Sequence, residues 1–394
     1  MLNRVVIVGG GIEGLSCARE LSARGAGEVV VLERGDLCGA GTGKSSGVVR
    51  CHYGVASLAA MAWHGVQTFE RAAQELGGDI GFVQTGYVVA VAERDVAALQ
   101  ANVALHRSLG IDVELADRDA VAELWPDAHL DDFAAFAWEP RGGYGDAYRT
   151  GQAFAAAARR DGALIRQHAP VAALCRGRAD RVTGVELADG ERIDADTVIV
   201  AAGPWSPELC APLGVELPIR AQREQILMVA PGTPLGDRPV FSDLVSLQYV
   251  RTERSGELLV GNSDHSAPEF VDPDAYGSRA DDDFVEAAAP KIGHRFPRIV
   301  EPRLSHTYAG CYDVTPDFNP IMSATQIDGL FVCAGFSGHG FKISPAVGRL
   351  MADLVLENDS TLPEVPAKDF RLARYAEGDP LVSTHRYVGA GQMR

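Results

Sequence analysis

No apolar run in this 394-residue chain approaches the length of about 20 residues that a membrane-crossing helix requires. Positive charge is also scarce. There are 36 Lys and Arg against 53 Asp and Glu, a formal net charge of −17. That balance argues against nucleic acid or an anionic membrane surface as a partner. It also means that an anionic small molecule would have to be met by locally placed cations. Cysteine is sparse and unpatterned, with seven residues at 17, 38, 51, 175, 210, 311 and 333. There is no CxxC pair and no Cys/His spacing of the kind that holds a metal, so neither a disulfide framework nor a metal site is expected. No secretion-signal pattern precedes the first apolar segment, and the expected location is cytoplasmic with reduced thiols. Internal repeats and low-complexity segments are absent.

What is present suits a large core, since 46% of residues are hydrophobic and the length fits two interleaved domains. Val5 to Val8 is a short apolar run of the kind found in buried parallel strands. The period then becomes helical, with Ile12, Leu15, Ala18 and Leu21 on one face. A second apolar run, Val29 to Leu32, closes in Glu33. Residues 35–54 read as loop. Helical patterns follow at 58–76, 94–109, 150–160 and 281–296, and a last helix is expected from about Pro345 to Leu356. Strand signals fall at 80–91, 171–193, 197–201, 225–229, 247–250, 258–260 and 330–333. The segment after Pro366 is polar and is expected to wrap the surface.

Gly9, Gly11 and Gly14 form GxGxxG between the first strand and the first helix. Such glycines permit a tight turn, close approach of a pyrophosphate and close helix packing. The helix N-terminus offers unpaired N–H groups and the positive end of its dipole to phosphate. Glu33 stands at the end of the second strand, where a carboxylate can bond ribose hydroxyls. The alternative, a glycine-rich turn of an ordinary α/β sheet, leaves the position of Glu33 to chance. The distant strand ending in Ala202-Gly203-Pro204-Trp205 and the loop Gly335-Phe336-Ser337-Gly338-His339-Gly340 favour FAD over NAD, because an extended flavin needs several separated backbone loops.

Four stretches, in order along the chain, carry a resemblance: Val8 to Gly14 with Glu33; Ser45-Ser46-Gly47-Val48-Val49-Arg50; Ala309-Gly310-Cys311-Tyr312-Asp313-Val314-Thr315-Pro316-Asp317; and Cys333 to Lys342. The sequence resembles the D-amino-acid oxidase superfamily, in its branch of sarcosine oxidase, glycine oxidase and dimethylglycine dehydrogenase. The resemblance implies an α/β fold, α+β overall. A Rossmann-type FAD-binding domain would comprise 1–80, 147–215 and 305–370. An interleaved, mainly antiparallel-sheet substrate domain would comprise 81–146 and 216–304, with 371–394 a C-terminal tail. It implies oxidation of a small amine bearing a carboxylate, such as an N-methyl or secondary amino acid, to an imine that hydrolyses. Two further readings share the fold: a 2-hydroxy-acid dehydrogenase, and a flavin-bearing subunit of a multi-subunit oxidase. The implied partners are the amine and oxygen or another electron acceptor, in a homo- or hetero-oligomer.

The resemblance also implies roles. Arg50 and Lys342 would clamp the substrate carboxylate, chemistry that a guanidinium fork and an ammonium can perform. The competing reading makes Arg50 a loop ion pair and Lys342 a pyrophosphate contact. His339 and Tyr249 are further catalytic candidates, although His339 can equally position flavin and Tyr249 can equally be core or rim, as can Tyr308 and His52. The FAD set comprises Gly9, Gly11, Ile12, Glu13, Gly14, Glu33, Arg34, Thr42, Gly43, Lys44, Ser45, Ser46, Val171, Ala202, Gly203, Trp205, Gly310, Gly335, Gly338, His339, Gly340, Phe341 and Lys342. Two departures stand out. Relatives that tether flavin through Cys align that residue with Gly310, one before Cys311, so non-covalent FAD is expected. Relatives that activate oxygen with a Lys align it with Leu259, which implies a dehydrogenase. Gly43-Lys44-Ser45 is not a phosphate loop, because its spacing fails and no strand leads into it. Nor is it a nucleophile elbow, for want of the same strand.

Overall fold

The computed structural model describes residues 4–388 and residue 390. Beyond Arg4, strand Arg4–Val8 is apolar because both of its faces are covered. It lies inside a six-stranded sheet whose spatial order is Ile321–Ala324, Leu330–Ala334, Thr197–Val200, Arg4–Val8, Glu28–Leu32, Leu164–Arg166. Every pairing is parallel except that of Ile321–Ala324, which folds back on its neighbour. The first helix, Ile12–Ala23, buries Ile12, Leu15, Ala18 and Leu21, as the period predicts. Strand Leu164–Arg166 has no sequence signal, being three half-exposed residues at the sheet edge.

The last helix, Gly340–Glu357, begins five residues before the expected Pro345. Glycines at 338 and 340 resemble loop, and proline resembles a first helical residue. Inside the helix Pro345 cannot donate to the Phe341 carbonyl. The Ser344 hydroxyl donates to that carbonyl instead, at 2.8 Å. Lys342 therefore sits in the first turn of a helix rather than in a loop.

A second sheet of eight strands runs in the order Arg303–Val314, Arg220–Ala230, Leu258–Asn262, Gln248–Thr252, Val240–Asp243, Tyr87–Val91, Ala135–Glu139, Glu114–Ala116. All its pairings are antiparallel except that of Val240–Asp243 with Tyr87–Val91. One face is sealed by helix Asp282–Arg295 and the cluster of Trp125, Phe133, Phe241 and Phe296. Strand Arg303–Val314 pairs with Arg220–Ala230 from Ala230 opposite Arg303 to Arg220 opposite Val314. The boundary expected at 305 thus falls inside a strand of this sheet, and the quoted motif that begins at Ala309 is strand through Val314. Its N-terminal half is polar and exposed, so no apolar alternation announces it.

The segment after Pro366 also departs from expectation within its described residues; 389 and 391–394 lie outside them. Phe370, Arg374, Ser383, Tyr387 and Ala390 are buried. The Arg374 guanidinium forks onto Asp317 at 2.7 and 3.0 Å, and Leu381 N donates to the same carboxylate at 3.0 Å. Polar composition conceals this docking, because an arginine whose charge is matched can be buried as deeply as a leucine. Among the described residues no helix is long and apolar enough to cross a membrane.

Burial by itself would raise the Asp317 carboxyl; the Arg374 ion pair and the Tyr375 hydroxyl bring it below its ordinary value. A depressed folded-state value stabilises above the unfolded carboxylate value of about 3.9 and is lost as pH falls through the folded one. Arg374→Met should cost about 3–5 kcal/mol in urea denaturation at pH 7, since it strands a buried carboxylate. The gap between wild type and variant should shrink on acidification below about pH 4. A gap that is constant with pH would contradict this account.

Candidate active site

Two glycine contacts seat the first helix at the end of the first strand. A Cβ at Gly9 would lie 2.3 Å from the Ala201 carbonyl oxygen, and one at Gly14 would lie 2.1 Å from the Gly9 carbonyl oxygen. Glu33 accepts from Gly10 N at 2.7 Å and Gly35 N at 2.8 Å, so its carboxylate is held at the turn. The Thr42 hydroxyl accepts from Ile12 N at 3.1 Å, at the helix N-terminus. Above this turn opens a cavity of about 620 Å³.

Most of the expected cofactor residues share that cavity: Gly9, Gly11, Ile12, Glu13, Glu33, Arg34, Thr42, Ser45, Ser46, Val171, Ala202, Gly203, Trp205, Gly338, Gly340, Phe341 and Lys342 line it. Arg50 and Tyr249 line it too. Six do not, and each has a physical reason. Gly14 packs against Gly9 behind the turn. Gly43 packs against the Cys38 carbonyl. The Lys44 ammonium donates to the Tyr276 hydroxyl at 2.7 Å, and Gly310 lies under the Lys44 chain. Gly335 turns at φ +81° and donates its N–H to Asp313 at 2.6 Å. His339 is buried, one ring nitrogen 2.8 Å from the Phe318 carbonyl and the other 3.2 Å from the Tyr53 hydroxyl. Burial holds the His339 imidazole well below its ordinary value. Both ring nitrogens are thus turned to Phe318 and Tyr53, away from the cavity lining.

Arg50 and Lys342 are 4% and 5% exposed. The Arg50 guanidinium lies 4.2 Å over the Tyr53 ring and donates to the His52 carbonyl. Lys342 Nζ lies 3.4 Å from the Gly338 carbonyl. Burial holds the Lys342 ammonium well below its ordinary value; the Arg50 charge lowers it further and Glu13 opposes both. Glu13 is buried with neither carboxylate oxygen hydrogen-bonded, and burial raises it. Tyr249 covers Gly261, where any Cβ would enter its ring, and burial raises its phenol to about 12.

The sequence reading passed over Cys311 and Asp313 as site residues, although both fall within a quoted motif; both line the cavity. Burial raises the Asp313 carboxyl to about 6 against backbone N–H groups of Gly335 and Phe336. Burial raises the Cys311 thiol to about 12. His265 and Ala390 also line the cavity, placed there by contacts remote in sequence.

The residues fit an extended dinucleotide. A glycine cradle leaves room for the pyrophosphate beside a helix N-terminus, Glu33 stands at the next strand end, and Glu13 offers two buried oxygens with no partner in the protein. The model of the FAD dependent oxidoreductase (DAO) family matches residues 4–354. The chain belongs to that family. This oxidoreductase is 28% identical to sarcosine oxidase subunit beta of Arthrobacter sp., over 97% of this chain and 93% of that one. It is 29% identical to 4-methylaminobutanoate oxidase (formaldehyde-forming) of Paenarthrobacter nicotinovorans, over 90% of this chain but only 43% of that longer protein. Its fold matches L-proline dehydrogenase of P. horikoshii, with TM-score 0.87, 24% identity and coverage of 96% and 99% of the two chains. Glycine oxidase of Geobacillus kaustophilus matches with TM-score 0.78, also at 24% identity and with coverage of 96% and 99%.

Gly14→Val should separate helix from strand and empty the dinucleotide turn. The purified variant should keep its helical circular dichroism but carry less than about a tenth of the wild-type flavin absorbance. Full flavin content would show that the glycine contact is dispensable.

Proposed function

We propose that this FAD-dependent oxidoreductase oxidises the carbon–nitrogen bond of a small amine that carries a carboxylate, a sarcosine-like N-methyl or secondary amino acid. The observation that carries the reading is the pair of buried cations, Arg50 and Lys342, that both line the cavity of a chain with net charge −17. Burying positive charge is costly. A carboxylate placed between them would relieve their mutual repulsion and accept charge-assisted bonds from both.

FAD, when bound, supplies the two-electron acceptor. The chain binds and aligns. Gly9 to Gly14 and Glu33 hold the dinucleotide half, while Val171, Trp205 and Arg34 are suited to border it. Arg50 and Lys342 fix the carboxylate end of the substrate, and fixing a reactant in this way supplies much of a rate enhancement. Tyr249 walls the same space from the eight-stranded sheet. His339 is braced by Phe318 and Tyr53 rather than set out as a base, and the amine is taken to react in its neutral form. Loss of two electrons and two protons leaves an imine, which water hydrolyses to a carbonyl compound and an amine. We place FAD in a non-covalent site, since the Cys311 thiol is held protonated. Similarity to a sarcosine oxidase subunit beta over nearly its whole length supports work within a hetero-oligomer. A 2-hydroxy acid would fit the same clamp, and anaerobic flavin bleaching with amines against hydroxy acids separates the two.

We infer a poor reaction with oxygen from Leu259. It is buried with Ile226 and Met228 beside Tyr249, an apolar site where the resemblance places an oxygen-activating lysine. Substrate-reduced enzyme is therefore expected to reoxidise more slowly in air-saturated buffer than with an artificial quinone, in stopped-flow absorbance. Faster reoxidation by oxygen would make it an oxidase.

Lys342→Met should weaken binding of a carboxylate lacking the amine by about tenfold to a hundredfold, with FAD retained. Wild-type affinity should fall as pH rises through the depressed Lys342 value, because only the ammonium attracts the anion, and that dependence should vanish in the variant. Titration by flavin difference spectra checks both points. An unchanged dissociation constant would remove Lys342 from the clamp.

A further inference from the structure

Behind the Arg50 side of the cavity, three side chains from separate elements converge. His52 follows strand Val48–Val49, His106 lies on helix Val96–Ser108, and Glu139 ends strand Ala135–Glu139. They are 0%, 0% and 2% exposed. One ligand-type atom from each lies within 4.8 Å of the other two. Nothing in their sequence spacing resembles a metal motif, so the sequence offered no sign of them as a set.

The outward-facing atoms of the three are engaged. His106 Nε2 lies 2.7 Å from the Tyr53 carbonyl. A carbonyl only accepts, so Nε2 carries the hydrogen and Nδ1 presents a lone pair. His52 Nε2 lies 2.7 Å from the Tyr387 hydroxyl, and Glu139 Oε2 accepts from Cys51 N at 2.8 Å. What remains is His52 Nδ1, His106 Nδ1 and Glu139 Oε1, all buried and without a hydrogen-bond partner. Metal-binding imidazoles have this outer arrangement, with the second nitrogen fixed by a neighbouring acceptor. His52 Nδ1 and Glu139 Oε1 are 3.4 Å apart. That is long for a hydrogen bond. It is close to the about 3.4 Å edge of a tetrahedron built on bonds of about 2.1 Å.

We propose that His52, His106 and Glu139 bind a divalent metal ion of the zinc class. A proton shared between Glu139 and His52 would be the simpler arrangement, but it leaves the buried His106 Nδ1 with nothing to bond. The Arg50 guanidinium donates to the His52 carbonyl, so an ion that fixes His52 also fixes the substrate clamp from behind. The Arg50 charge opposes a dication, and the affinity should lie below that of an isolated two-histidine, one-carboxylate set. A second cluster, His129, Asp132 and His294, is partly exposed, and Asp132 is already forked by Arg295 at 2.7 and 2.8 Å. It serves as the control.

The test uses FAD-loaded protein equilibrated with zinc chloride, desalted, and assayed by inductively coupled plasma mass spectrometry. His106→Gln keeps an N–H for the Tyr53 carbonyl, and Glu139→Gln keeps an oxygen for Cys51 N. Wild type and His294→Ala should each hold about one zinc per chain, and the Gln variants less than about a fifth of that. Zinc should also raise the melting temperature of wild type, a readout that survives if a variant fails to fold. The proposal is overturned by wild type that holds no zinc and shows no melting shift, by Glu139→Gln that holds as much zinc as wild type, or by loss of the zinc in His294→Ala.

Discussion

Backbone packed directly on neighbouring atoms, at positions where no side chain can intervene, sets the geometry of this oxidoreductase. Gly14 rests on the Gly9 carbonyl, Gly348 on Ser16, and Gly65 on the Lys342 carbonyl, each with a Cβ position closer than 2.5 Å to its neighbour. The first contact brings the N-terminus of helix Ile12–Ala23 to the end of the first strand. The second joins that helix to Gly340–Glu357, reinforced by the Ser16 hydroxyl donating to the Ser344 carbonyl at 2.6 Å. The third brings helix Ala56–Glu70 across the first turn of the last helix. Together they place Glu13 and Lys342 in one crevice.

Charge in that crevice is arranged differently from charge elsewhere in the core. Arg295 and Arg374 are as deeply buried, yet each closes on carboxylates in short, forked bonds. Lys342 is buried with a long contact to a carbonyl, beside a second cation and a carboxylate whose oxygens have no partner. Such an arrangement is unfavourable in an isolated protein and favourable around a polar ligand that supplies both a carboxylate and hydroxyl groups.

The two sheets divide the work. The parallel sheet presents strand ends and a helix terminus, suited to a dinucleotide. The larger sheet offers a face on which Tyr249, Tyr308 and Leu259 form a mostly apolar wall. The segment after Pro366 ties them together, with Arg374 locked to Asp317, Tyr387 against His52, and Ala390 bridged to Asp264.

The dinucleotide turn was legible in the sequence because its physics is local: apolar strand, glycine turn, amphipathic helix and Glu33 lie within thirty-odd residues and obey short periods. The loop at 335–339 was legible, but the helix that follows starts at Gly340 rather than Pro345, since Pro345 is tolerated inside it through the Ser344 hydroxyl. Strand Arg303–Val314 was invisible, because a polar edge strand is specified by its partner rather than by its own alternation. Burial of Arg374 and Tyr387, and the meeting of His52, His106 and Glu139, were likewise beyond reach. A charge or an imidazole becomes a core residue only when a distant partner satisfies it, and only the folded chain brings such partners within bonding distance.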